Sequence, residues 1–149
     1  MTTYTIDASV FLNAFNPYET GHAESRSLLA RMQDQGVPII VPTLLLPETA
    51  AAIARGQDDA DLARRFAATL RRLPHLVFVP LDDTLAQQAS DVAAQHRLRG
   101  SDAVYAAVAF RFGATLITLD KEQQQRVAAV ISTRSPAEAL AEWVDRQPN

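Results

Sequence analysis

Short β-rich runs alternate with longer helical stretches along nearly the whole chain, and this alternation restricts the possible folds more than any other feature. Residues 3–7, 38–41, 76–79, 115–119 and 129–132 are short, rich in Val, Ile, Thr or aromatic side chains, and bounded by turn formers, which reads as strands. Residues 23–35, 44–55, 59–73, 84–97, 103–112 and 136–145 carry apolar side chains at three- and four-residue spacing among good helix formers, which reads as helices. Gly36, Gly56, Gly100 and Gly113 fall at or just after the helix ends, where C-terminal caps are expected. Strands separated by helices return in the same direction. The pattern therefore predicts an α/β fold with a mainly parallel central sheet of about five strands flanked by helices. There is no repeat, low-complexity tract or linker. The 149 residues are expected to form one domain, 1–149, with a core over about 3–132, a C-terminal helix over about 136–145 and a frayed end from Arg146.

Composition removes several kinds of chemistry. With no cysteine, the chain has no disulfide, no thiolate zinc site and no cysteine nucleophile. His22, His75 and His96 lack close ligand spacing, so a metal site here is built mainly from oxygen. No apolar run approaches the roughly 20 residues that span a bilayer, and an acid at Asp7 takes the place of a leader's basic flank and long apolar core. A soluble, cytoplasmic protein with no membrane partner is expected. A formal net charge of −3 excludes a grip on nucleic acid through a global positive field. Local patches remain: Arg64, Arg65, Arg71 and Arg72 share one helix, where a solvated face is the leading explanation. Arg97 and Arg99, just before Asp102, are placed to bind a phosphodiester substrate without touching the acids, although they too read as a solvated face.

Four carboxylates stand out: Asp7 in YTIDAS, Glu48 in LLLPETAA, Asp102 in RGSDAVYAAVA and Asp120 in LITLD. Ligands of open α/β sheets gather beyond the carboxyl ends of the strands. Asp7 and Asp120 end strands, Asp102 enters the first turn of a helix, and Glu48 lies one turn into the helix after residues 39–41. A single crevice can therefore collect all four acids, which suits a hard divalent cation. The competing explanation is capping, which leads for each aspartate taken alone. Glu48 resists it: Leu44, Leu45, Leu46, Ala50, Ala51 and Ile53 surround it, and an acid there is costly unless paired, protonated or metal-bound; its alternative is a surface stripe beside Thr49.

The segments IDASV, PTLLLPETA, LRGSDAVYAAVA and TLITLD, in this order, resemble a PIN domain, and more narrowly the VapC-type toxins of type II toxin–antitoxin modules. The resemblance runs from Thr3 to about Ser132. It implies that Asp7, Glu48, Asp102 and Asp120 form a catalytic set for Mg2+- or Mn2+-dependent cleavage of RNA, an endoribonuclease activity. Asp7 and Asp102 are the most direct metal ligands, with Asp120 a third, while Glu48 holds a second ion or deprotonates the attacking water. Ser9 and Thr118 fit supporting hydroxyl positions. Such a set is chemically sufficient, because magnesium takes oxygen ligands and keeps several waters, and a bound ion both activates water and neutralises phosphoryl charge. Pro47, directly before Glu48, departs from the pattern and is expected to kink the helix and shift that acid. The resemblance also implies a second copy as a homodimer partner and a cognate antitoxin that brings a basic side chain to the acids. Leu28, Leu29, Met32, Ile53, Phe66 and Leu70 serve either such an interface or the core, and Trp143 reads as a packing anchor. Two alternatives carry other functions: a PIN-fold binding or scaffold module without activity, and a receiver-like phosphoacceptor domain. Against the receiver, Asp7 stands alone at its strand end, and Lys121 follows Asp120 in the wrong context.

Overall fold

The computed structural model describes residues 2–146. Strands β1 (Tyr4–Ile6), β2 (Ile39–Pro42), β3 (Leu76–Val79), β4 (Thr115–Ile117) and β5 (Thr133–Arg134) form one sheet in the order β3-β2-β1-β4-β5. Every neighbouring pair is parallel. The connections are helical: α1 (Ala8–Phe15) and α2 (His22–Asp34) link β1 to β2, and α3 (Leu45–Gln57) and α4 (Ala60–Arg72) link β2 to β3. The pair α5 (Asp83–His96) and α6 (Gly100–Phe112) carries the chain back to β4, α7 (Lys121–Val127) leads to β5, and α8 (Pro136–Arg146) closes the fold. Residues 147–149, to which the expected fraying extends, lie outside the described residues, and Arg146 itself belongs to α8.

Strands β1 to β3 step outward on one side, and β4 then pairs on the other side of β1. The strand order reverses between β1 and β4, and a reversal of this kind opens a crevice at the carboxyl ends of the two strands. Receiver domains share the flavodoxin-like order 2-1-3-4-5, so the observed order rules out that alternative.

Helix α6 is the spine of the core. Its residues from Ala103 to Ala109 are all buried, and it packs on β1, β2, β4 and α5, with alanines allowing close approach to the sheet. Leu28, Met32, Ile53 and Leu70 are buried, and Leu29 and Phe66 pack partly buried against the core. Phe66 meets Phe15 edge-on at 5.0 Å between ring centroids, so these side chains serve packing. Trp143 is buried with its ring 6.1 Å from that of Tyr4, the anchor the sequence suggested. The solvated reading of the α4 arginines fits Arg64, whose exposed side chain pairs with Asp61 at 3.0 Å.

Several local expectations are corrected. The fifth strand lies at Thr133–Arg134 instead of residues 129–132, because Asp120 starts α7 and the apolar residues after it bury Val127 and Ile131 at helical spacing. Helix α1, over residues that the apolar periodicity leaves unassigned, starts on Asp7. Gly56 lies inside α3 and Gly100 opens α6; the left-handed positions that end α3 and α5 are instead Asp58 and Arg97, at φ 50° and 57°. Pro47 does not break α3. It occupies the third helical position, where a backbone N–H has no intrahelical partner to lose, and the Glu48 N–H still reaches the Leu44 carbonyl at 3.2 Å.

Candidate active site

A cavity of about 510 Å3 opens at the β1/β4 reversal, and Asp7, Glu48, Asp102 and Asp120 all line it. The sheet register brings the first pair of elements together. Ile6 pairs with Ile117, and the N–H of Asp7 donates to the Ile117 carbonyl at 3.2 Å, so Asp7 and Thr118 emerge side by side from β1 and β4.

Asp7 is both a cap and a lining acid. Its Oδ1 accepts from the Ser9 N–H at 3.0 Å and from the Ser9 hydroxyl, starting α1, while its Oδ2 accepts from the Thr118 hydroxyl at 2.5 Å. The residue is only 5% exposed. Burial pushes its pKa up to about 6, against the opposing pull of the Ser9 and Thr118 hydrogen bonds, and the Asp102 charge adds a smaller push.

Behind Asp7, Thr118 and Gln123 are completely or almost completely buried. Thr118 Oγ1 accepts from the Asp120 N–H at 3.1 Å and lies 2.9 Å from Gln123 Oε1, whose amide Nε2 donates to the Asp102 carbonyl at 3.1 Å. One hydroxyl proton cannot serve two acceptors. When Asp7 is protonated, it donates to Thr118 and Thr118 donates to Gln123; when Asp7 ionises, Thr118 turns to the carboxylate and Gln123 Oε1 loses its donor.

Glu48, from α3, accepts from the Tyr105 hydroxyl at 2.7 Å. Burial raises its pKa and the Tyr105 hydrogen bond opposes the rise; the Tyr105 phenol is itself pushed upward by its burial and by the Glu48 charge. Asp102 occupies the third position of α6, whose N-cap is Arg99 with no side-chain cap bond, so the capping explanation fails for Asp102. It succeeds for Asp120, which caps α7 through Oδ1, accepting from Glu122 N–H at 2.9 Å and Gln123 N–H at 3.2 Å, while Oδ2 faces the site. Capping and site-lining are thus compatible: the two oxygens of one carboxylate divide the tasks.

Arg99 overturns the expectation that the arginines stay clear of the acids. Its guanidinium pairs with Asp102 Oδ2 at 3.3 Å and with Asp120 Oδ2 at 3.1 Å. Arg97 is exposed at the end of α5 and does not line the cavity; its carbonyl accepts from Arg126. The sequence reading missed Arg55, Ser101 and Tyr105 on the cavity wall, and Gln123 behind it. Arg55 stands seven residues after Glu48 and Tyr105 three after Asp102, so helical spacing from the acids already marked both.

The donor set fits a hard cation. It is all oxygen, and Asp7 and Asp102 line the same cavity. Among the described residues no group of three His, Cys, Asp or Glu side chains is close enough to grip one ion. Magnesium needs only one or two carboxylates plus waters and substrate oxygens, so a cavity lined by Asp7 and Asp102 offers enough protein oxygen for such an ion.

The PIN domain family model matches residues 4–130. No curated protein matches the chain. Among solved structures the chain is similar to VapC20 of Mycobacterium tuberculosis, a toxin that cleaves the sarcin–ricin loop, at 19% identity and a TM-score of 0.69 over 88% of this chain and 98% of that one. It is similar to PAE2754 of Pyrobaculum aerophilum at 19% identity and a TM-score of 0.68, covering 97% and 98% of the two chains. It is also similar to VapBC2 of Rickettsia felis, solved with a DNA fragment from its promoter, at 12% identity and a TM-score of 0.68 over 90% and 98%. At these identities the likeness is one of fold.

Proposed function

The chain belongs to the PIN-domain family, and on that premise we propose that it is a divalent-metal-dependent endoribonuclease, the toxin of a type II toxin–antitoxin module. The observation that carries this reading is the gathering of Asp7, Glu48, Asp102 and Asp120 on one cavity at the β1/β4 reversal.

Asp7 and Asp102 would hold the ion, Mg2+ or Mn2+, with Asp120 alongside. When bound, the ion makes water a stronger nucleophile and neutralises charge on the phosphoryl oxygens. The chain's own groups do the rest. Ser9 and Thr118 aim the Asp7 carboxylate by occupying its two oxygens from behind. Glu48 takes the proton of the attacking water: Tyr105 fixes one of its oxygens, and its raised pKa brings it nearer to neutral pH, where a base works best. Arg99 supplies a fork of donors matched to a phosphate. Arg97, exposed two residues before it, meets the RNA backbone further out.

The partners follow from this reading: RNA as substrate, a second copy of the chain, and an antitoxin that neutralises the acidic cavity with a basic side chain. Three solved neighbours are toxin–antitoxin assemblies, from Klebsiella pneumoniae, Salmonella typhimurium and Rickettsia felis, which supports such a partner. Among the described residues no helix is long and apolar enough to cross a membrane.

The test is cleavage of single-stranded RNA by the purified protein with Mg2+ or Mn2+, with chelator as control. Asp7→Asn and Asp102→Asn should each lower the rate by at least about 100-fold with the fold retained by circular dichroism. Full activity in either variant would remove these acids from the site.

A further inference from the structure

Arg99 sits where two cavities meet. Beside the 510 Å3 cavity lies another of about 330 Å3, lined by Leu98, Glu122, Gln123 and Arg126, and Arg99, Asp102 and Asp120 line both. The Arg99 guanidinium joins acids that come from two different helix starts, yet its side chain is 78% exposed, while those of Asp102 and Asp120 are 19% and 27% exposed. Partly buried carboxylates are therefore held by a solvent-facing cation. A pair of this kind is weak, because water and salt screen it, so its cationic half is free to leave.

Charge balance explains why a cation stands there. Asp102, Asp120 and Glu122 bring three carboxyl groups to the 330 Å3 cavity, and Arg99 sets a positive charge against the first two. A divalent ion on Asp102 would do the same work with twice the charge. The guanidinium and the ion then compete for the same oxygens, and the displaced guanidinium, still tethered at the mouth of the cavity, presents its planar fork to a phosphodiester.

Building on the metal-dependent ribonuclease reading, we propose that Arg99 exchanges partners: it holds Asp102 and Asp120 while no divalent ion is bound, and passes to the RNA phosphate when an ion takes those acids. Two consequences follow from linkage. Arg99 weakens metal binding in the absence of RNA, and it makes metal and RNA strengthen each other's binding.

Calorimetric titration of the full chain with Mn2+, without RNA, reads the first consequence. Arg99→Gln should bind Mn2+ about tenfold tighter than the unsubstituted protein, within the usual range of coupling between sites. Arg97→Gln, a lost positive charge nearby but outside the cavity, should stay within about twofold of the unsubstituted protein, as expected for a screened charge. The second consequence is read with Glu48→Gln as background, which lacks the proton acceptor and leaves RNA intact. Mn2+ should tighten its binding of a short single-stranded RNA about tenfold, and by no more than about twofold once Arg99→Gln is added. Equal or weaker Mn2+ affinity in Arg99→Gln overturns the exchange, as does an Mn2+ effect on RNA binding that survives the added substitution. Mn2+ binding that is equal in both proteins sinks the exchange alone. Absence of Mn2+ binding from both sinks the metal reading with it.

Discussion

Asp7, at the inner wall of the cavity, is 5% exposed and meets the neutral donors of Ser9 and Thr118, whereas Asp102 and Asp120 at the rim share the exposed guanidinium of Arg99. The inner acid is positioned by hydrogen bonds that leave its charge uncompensated, and its pKa rises to about 6. The rim acids are compensated by a charge that water can screen. Neutral partners fix direction without neutralising, which suits a carboxylate awaiting a cation; a mobile counter-ion suits carboxylates that must change partners.

The contrast predicts its own failures. The largest effect should come from Asp7→Asn, which keeps the shape of the inner wall and removes its charge. Together with the loss of cleavage, this variant should lose a pH dependence of stability. The folded pKa of about 6 lies above the ordinary 3.8, so the folded chain holds this proton longer than the unfolded one. The stabilisation is complete below the unfolded value and is lost as pH rises through about 6, on the order of 3 kcal/mol in all. Urea unfolding in chelator from pH 4.5 to 7.5 should therefore show the unsubstituted protein losing stability relative to Asp7→Asn. Parallel curves would mean that Asp7 is not desolvated and that the wall and the rim do not differ.

Gln123→Ala should cost about 1–3 kcal/mol in the same assay, because it leaves the Asp102 carbonyl without its amide donor. Tyr105→Phe should cost about 1 kcal/mol and lower the cleavage rate several-fold by releasing one oxygen of Glu48. The smallest effect belongs beyond the rim. Arg97→Ala should change the slope of log RNA affinity against log salt by no more than about 0.7, the share of a single phosphate contact. A larger change would move Arg97 from the margin into the binding surface.

Much of this architecture was legible in the chain. The first four strands read correctly because each is a short run rich in Val, Ile, Thr or aromatic residues bounded by turn formers, and β3 falls on the expected residues 76–79 even though it is an edge strand with Val77 exposed. The four acids were legible because strand ends and helix starts are where an open sheet places its ligands. What escaped depended on contacts far apart in sequence. Helix α7 is a short polar segment, KEQQQRV, with little apolar periodicity, and it holds its place through Asp120 and the buried Gln123. Gly100 suggests a helix end by residue type, yet Arg97 accepts the left-handed turn and frees Gly100 to begin α6. The bond from Arg99 to Asp120 spans 21 residues and exists only because α6 and α7 start at the same crevice.

That α1 and α7 both start on carboxylates of the cavity has an evolutionary consequence. Drift that replaced Asp7 or Asp120 with an aliphatic residue would remove a helix start worth about 0.5–2 kcal/mol as well as a ligand. Descendants that abandoned cleavage would therefore remain under selection at these two positions, with Asp, Asn, Ser or Thr preferred for folding alone. Glu48 and Asp102 cap no helix, so capping gives them no such protection. Among relatives of this chain, the residues at the Glu48 and Asp102 positions should separate working nucleases from retired ones more sharply than those at the Asp7 and Asp120 positions.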